Sequence, residues 1–314
     1  MIIYFIIFIF GLAVGSFLNA VIFRLEEEES VIWSDAREGV KGAKNNSFTA
    51  VIPKIHFTRS HCPHCRRTLK WHDLIPVFSF LFLRGKCRYC GKKISWQYPV
   101  VEIATGLIFL LIFWKIWTPK LVLEGIGLYP EQVLASIYWL YIASVLIIIF
   151  VYDLRHYLIP DKILFPAIAI TFLWRSFWAL VIGHWSFKPT LSVIAPQLTV
   201  IDNFWLYFFA AVIASGFFFA LVLVSRGKWM GLGDVKLAFL MGLILGWPDI
   251  LAALFFAFAL GAIIGVALIF SSRTKKNYSL KSQIPFAPFL ILGTFTTLFW
   301  GSSIIEWYEQ LFAL

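Results

Sequence analysis

Eight runs of almost uninterrupted apolar residues decide what this chain of 314 residues can fold into. They are Ile2 to Phe23, Pro99 to Trp117, Val133 to Tyr152, Ile163 to Gly183, Phe204 to Val224, Val235 to Trp247, Ile250 to Phe270 and Phe286 to Ile305. Most are near the ~20 residues that carry a helix across a bilayer, and the sixth is short. A membrane β-barrel would alternate apolar and polar positions, which these runs do not do. With 60% hydrophobic and only 14% charged residues, the chain is far from a soluble domain, where about a quarter of residues are charged. The expectation is an all-α polytopic membrane protein of about eight transmembrane helices. The first run has no basic stretch before it and no small-residue cleavage site after it, so it reads as a retained anchor.

A net charge of +10 would suggest nucleic acid in a soluble protein, but in a membrane protein the distribution of Lys and Arg decides. They gather on one side: Arg24 to Lys93, Arg155 and Lys162, Arg226 and Lys228, and Arg273, Lys275, Lys276 and Lys281. The opposite connections hold mainly Lys115, Lys120, Arg175 and Lys188, and the C-terminus carries Glu306 and Glu309. By the positive-inside rule the basic side is cytoplasmic and both termini lie outside.

Two acidic sites fall on that cytoplasmic side. One is Asp234, in Met230-Gly231-Leu232-Gly233-Asp234-Val235-Lys236 at the start of the sixth run; the other is Asp153, with Asp161, in Asp153-Leu154-Arg155-His156-Tyr157-Leu158-Ile159-Pro160-Asp161. A carboxylate in hydrocarbon costs about 2.5 to 3.5 kcal/mol on insertion scales, so each calls for a reason. Two carboxylates brought within a few ångströms share one proton, the working state of an aspartyl protease. One takes a proton from water while the other donates to the scissile carbonyl. Gly231 and Gly233 fit a backbone that bends before the helix and lets a substrate strand come close. Lys236 either stabilises the ionised form or meets lipid headgroups. Other hydrolase plans find no support: there is no His-Glu-x-x-His metal site and no Gly-x-Ser-Gly element around Ser215.

The one substantial polar segment runs from Arg24 to Tyr98. Its first half, Glu26 to Ser60, opens on four consecutive glutamates and reads as a loosely structured, solvated acidic insertion. The second half holds all four cysteines, as Cys62-Pro63-His64-Cys65 and Cys87-Arg88-Tyr89-Cys90. Two such knuckles are the pattern of a four-thiolate zinc ribbon, because each supplies two sulfurs to adjacent edges of a tetrahedron. A cytosolic location favours zinc over disulfides. A closed four-thiolate site organises the loop and does not catalyse, and His61, His64 and His72 read as bystanders. In the first helix, Gly11, Gly15, Ser16 and Asn19 share a face that allows close helix packing, with Asn19 a polar contact. Glu102, just inside the second run, either pairs with a basic loop residue, joins a polar pocket, or reaches headgroup water.

Taken together, several stretches resemble the bacterial type IV prepilin peptidases over nearly the whole chain. They are Gly15-Ser16-Phe17-Leu18-Asn19 with Arg24-Leu25, the two knuckles with Ile75-Pro76-Val77 and Leu83-Arg84-Gly85-Lys86 between them, Tyr98-Pro99-Val100-Val101-Glu102, Asp153 to Asp161, Gly231 to Lys236, and Ile284-Pro285-Phe286-Ala287-Pro288-Phe289. The resemblance implies a bacterial inner-membrane aspartyl endopeptidase that removes the basic leader of type IV prepilins or type II secretion pseudopilins. Its catalytic aspartates would be Asp153 and Asp234, with Asp161 the weaker candidate for the first. It also implies, for many members, N-methylation of the new amino terminus from S-adenosylmethionine. No glycine-rich dinucleotide turn supports that second activity independently. The organisation expected is a first helix over 1–23, a cytoplasmic zinc-ribbon-like loop domain over 24–98, and a seven-helix peptidase domain over 99–314. The stretches Glu26 to Ser60 and Gly183 to Asn203 look longer than the family pattern. Two other readings compete. A presenilin-like or signal-peptide-peptidase-like protease shares Gly-x-Gly-Asp, and Tyr152-Asp153 imitates its Tyr-Asp pair, but it has no cysteine loop. A proton-coupled transporter would show internal repeats and midplane carboxylates, neither of which is found here.

Overall fold

A computed structural model describes residues 2–41, 60–117, 130–183, 204–228, 230–272 and 285–312. Nine α-helices appear among them: α1 Ile2–Lys41, α2 Phe78–Phe82, α3 Gln97–Ile116, α4 Pro130–His156, α5 Asp161–Gly183, α6 Phe204–Ser225, α7 Leu232–Leu245, α8 Asp249–Ser272 and α9 Ala287–Phe312. No strand is present among the described residues beyond two isolated bridges, His61 with Thr68 and Lys86 with Lys93. Each of the eight apolar runs forms a helix, and six helices are long and apolar enough to cross a membrane. The 14-residue α7 is about 21 Å long at 1.5 Å per residue, short of the ~30 Å hydrocarbon layer. The chain is a multi-pass membrane protein. It forms two compact units, Met1–Ile148 and Ile149–Leu314.

In the first unit α1 and α3 run antiparallel along a seam of small residues. A Cβ on Gly11 would come 2.7 Å from Gly106 Cα, and one on Gly15 would come 2.7 Å from Glu102 Cα, so only glycine permits this approach. Asn19 Nδ2 donates to Tyr98 O at 3.1 Å at one end, and Tyr4 meets Phe113 edge-on at the other. The expected glycine face and its polar contact are both in place. The acidic stretch departs from expectation: α1 continues to Lys41, so Glu26 to Lys41 is helical, not loosely structured. A run of glutamates followed by Ala36, Arg37 and Glu38 is good helix-forming material and extends a helix already nucleated in the membrane. The rest of that stretch, 42–59, lies outside the described residues, as do Lys120, Lys188, Arg273, Lys275, Lys276, Lys281, Ile284 and most of the Gly183 to Asn203 connection.

The second unit is built around α7, which touches α5, α6, α8 and α9. From Leu237 onward it is buried nearly all round, as a helix apolar on every face should be. A Cβ on Gly242 would collide with the backbone of Ala210 and Ala211, so α6 and α7 cross at backbone contact. Arg175 does not lie in a connection. It sits within α5, donates through Nε to Leu243 O at 3.1 Å and through a terminal nitrogen to Ile244 O, and stacks 3.7 Å over the Tyr207 ring. It thereby caps carbonyls that the end of α7 leaves unpaired.

Candidate active site and metal centre

Three helix ends bring the acidic site together in the second unit. Asp153 lies in the last turn of α4, which stops at His156 where Tyr157 takes φ +57° and returns its amide to Asp153 O at 2.9 Å. The residue is 5% exposed, and its carboxylate accepts the amide of Ala287, the first residue of α9. Its Oδ2 is buried with no hydrogen-bond partner among the described residues, uncommon for a carboxylate unless it has other work. Asp234 is the third residue of α7, and the Gly231 amide donates to its Oδ2 at 3.4 Å. The two carboxylates are close enough for the charge of Asp153 to act on Asp234.

The two glycines serve different ends. A Cβ on Gly231 would meet nothing closer than the Gly233 amide at 3.8 Å, leaving this exposed turn open to an incoming chain. A Cβ on Gly233 would press on the Ile159 side chain at 3.2 Å, so this glycine lets α7 start against the Ile159-Pro160 link. Lys236 has a protein partner of its own. Its Nζ pairs with both oxygens of Asp161 at 2.8 Å, with the Phe165 ring 5.0 Å away. Asp161 is therefore an exposed, paired group in the first turn of α5, whereas Asp153 is buried beside Asp234.

The cysteines form the second grouping, in the first unit. The four sulfurs lie within 4.8 Å of one another, with Cys62 Sγ 4.0 Å from Cys90 Sγ, and all four are free thiols. A tetrahedral zinc with Zn–S bonds of about 2.3 Å puts its sulfurs about 3.8 Å apart, whereas a disulfide needs about 2.05 Å, so the four cysteines are unpaired and close enough together to hold a metal ion. Both knuckles have the same backbone. The amide of the first cysteine bonds to the carbonyl five residues on (Cys62 to Arg67, Cys87 to Lys92), and the fourth residue on, Arg66 or Gly91, has positive φ. His61 faces Glu27 at 3.3 Å and His72 faces Asp73 at 3.6 Å, so neither joins the thiols.

Asp73, which no motif in the sequence singles out, ties the turn at 70–73 to the second knuckle. It accepts from the Lys70 amide at 3.2 Å, Arg88 Nε at 2.7 Å and the Tyr89 hydroxyl at 3.1 Å. Burial pushes its carboxyl up, but the Lys70, Tyr89 and Arg88 donors outweigh that and hold it below the usual aspartate value. Glu102 is 6% exposed and accepts the Val77 amide at 2.7 Å and the Ser16 hydroxyl, so it reaches neither a basic residue nor headgroup water. It instead joins α1, α3 and the turn before α2, where Val77 holds an unfavourable φ of +59°.

The description "Bacterial Peptidase A24 N-terminal domain" matches residues 9–116, and "Type IV leader peptidase family" matches residues 140–266. A Bacillus subtilis protein named prepilin leader peptidase/N-methyltransferase is 32% identical over 308 residues, 98% of either chain. The chain belongs to the type IV leader peptidase family. Relatives of the same name from Xanthomonas campestris and Aeromonas hydrophila are 30% and 29% identical, over 97% and 96% of this chain and 93% and 92% of theirs. No solved structure matches. The leader peptidase match takes in Asp153, Asp161 and Asp234, and the N-terminal match takes in the four cysteines and Glu102.

Proposed function

We propose that this chain is an intramembrane aspartyl endopeptidase that cleaves the basic leader of type IV prepilins or type II secretion pseudopilins, and then N-methylates the new amino terminus. The observation that carries the proteolytic reading is the meeting of Asp153 and Asp234, each at a helix end and each held by one backbone amide. One proton shared by the pair lets one carboxylate activate water while the other protonates the carbonyl oxygen. The roles exchange as the tetrahedral intermediate collapses. Asp153 is favoured over Asp161 as the partner because Asp161 is neutralised by Lys236. The Ala287 amide orients Asp153, the Gly231 amide orients Asp234, and the open turn at Gly231 gives the substrate backbone access.

The basic residues flanking this site, Arg155, Lys162, Arg226 and Lys228, support a cytoplasmic active site with both termini outside. A leader rich in Lys and Arg is held on that same side by the same rule. Family membership favours this reading over a presenilin-like protease or a proton-coupled transporter.

The donor set of Cys62, Cys65, Cys87 and Cys90 fits zinc. With all four positions filled by thiolate, zinc held there would fold the loop and take no part in catalysis. For S-adenosylmethionine the described residues offer neither a parallel sheet nor a strand-to-helix Gly-x-Gly-x-x-Gly turn, so they show no nucleotide cradle of that kind. Methyl transfer rests on the names of the relatives. It is tested by following a labelled methyl group from S-adenosylmethionine onto cleaved pilin, where persistent absence of label would leave a peptidase only. Proteolysis is tested by incubating the purified protein with candidate prepilins. Failure of Asp153→Asn or Asp234→Asn to stop cleavage would remove the dyad.

A further inference from the structure

The segment from the first knuckle to the start of α3 is read from sequence as part of a water-facing loop, yet it carries the most exposed aromatic side chains among the described residues of the first unit. Phe82 is 85% exposed, Trp71 79% and Trp96 72%, with Leu81 at 61% and Phe78 at 58% beside them. Three of these lie on α2, a five-residue helix whose one buried side chain is Phe80. An apolar group of this size on a water-facing surface marks a partner.

Two observations identify that partner as the bilayer. The first is depth. The Val77 amide, immediately before α2, bonds to Glu102 Oε2 at 2.7 Å. Glu102 is the fifth residue after Gln97 in a membrane-spanning helix, about 7.5 Å along its axis from the start. Even with the side chain reaching back toward the helix N-terminus, Val77 is level with the first turns of α3 and not beyond its end. The second is continuity and charge. Trp96 directly precedes α3, a helix long and apolar enough to cross a membrane, whose residues Val100, Ile103 and Leu107 are exposed. Exposed Lys70, Arg84 and Lys86 flank the apolar segment, where they suit anionic headgroups.

We infer that α2 lies in the cytoplasmic interface of the membrane, with Phe78, Leu81 and Phe82 among the acyl chains and Trp71 and Trp96 at headgroup level. The turn at Val77, locked by Glu102, sets its depth, so the cysteine knuckles sit on the bilayer surface. Tryptophan at headgroup depth and a short apolar element below it is the ordinary arrangement of an interfacial anchor.

The full-length protein in nanodiscs of phosphatidylethanolamine and phosphatidylglycerol tests this. Phe82 is replaced by 4-trifluoromethylphenylalanine, and in a second sample Phe255, exposed on the membrane-spanning α8, is replaced likewise as a ruler. The fluorine line at 82 is expected to broaden several-fold with a doxyl-labelled lipid and to stay narrow with an aqueous gadolinium chelate, as at 255. Broadening by the chelate would place α2 in water, and protection from both agents would place it under protein; either overturns the inference. The readout does not depend on peptidase activity.

Discussion

Lys236 places its ammonium on both oxygens of Asp161 at 2.8 Å, and that contact separates two aspartates that the sequence left in competition. Both partners are substantially exposed, so the pair contributes no more than about 1 kcal/mol. Asp161→Asn is accordingly expected to leave cleavage in place with a small loss of stability. Loss of cleavage as complete as in Asp153→Asn would contradict the assignment. Asp73 makes a prediction outside the membrane. Its folded pKa is lowered, so its stabilisation of the second knuckle is fully present above the ordinary aspartate value of about 3.9 and is lost as pH falls through the lower folded value. A carbon NMR titration of labelled aspartate should find this carboxyl still mostly ionised at about pH 3.9, and a midpoint at or above that value would refute the three-donor account. Asp153 and Asp234 were legible in the sequence because a carboxylate at the end of an apolar run has few bland explanations. Asp73, Ala287 and Arg175 were not. Their roles rest on partners at 3.2 Å or less, or on a backbone amide, and no single-chain pattern encodes which distant atoms meet.

At the scale of elements, the apolar runs read directly as helices because run length alone separates a membrane helix from a strand. Helix ends read less well. The extension of α1 to Lys41 was hidden by a glutamate run that suits a solvated loop as well as a solvated helix. The small-residue face of α1 was legible from spacing, but its partner glycine on α3 was not. Gly15→Leu is expected to force α1 from α3 and to destabilise the first unit by about 1 to 3 kcal/mol or more, read as a lower melting temperature in detergent. An unchanged melting temperature would mean that the seam is looser than described. The cysteine knuckles make a further prediction. Purified protein should carry about one zinc per chain, and Cys62→Ser or a strong chelator should release it and unfold the 60–96 segment. Metal analysis that finds none would leave four unligated thiols.

At the scale of the molecule, two units carry separate groupings: four clustered thiols beside the first helix pair, and a carboxylate pair mounted on the helices around α7. The family matches follow the same order, with the N-terminal description over 9–116 and the leader peptidase description over 140–266. Membrane class followed from hydropathy, because the bilayer imposes it regardless of packing. The meeting of α4, α7 and α9 at one point did not, since it depends on how helices far apart in sequence pack. The most direct test of the whole account is to incubate purified wild-type protein, Asp153→Asn and Asp234→Asn with a candidate prepilin and S-adenosylmethionine and to weigh the products. Wild type is predicted to yield mature pilin shortened by its leader and heavier by one methyl group, while both variants, equally well inserted, leave the prepilin intact. Full cleavage by either variant would contradict the aspartyl dyad.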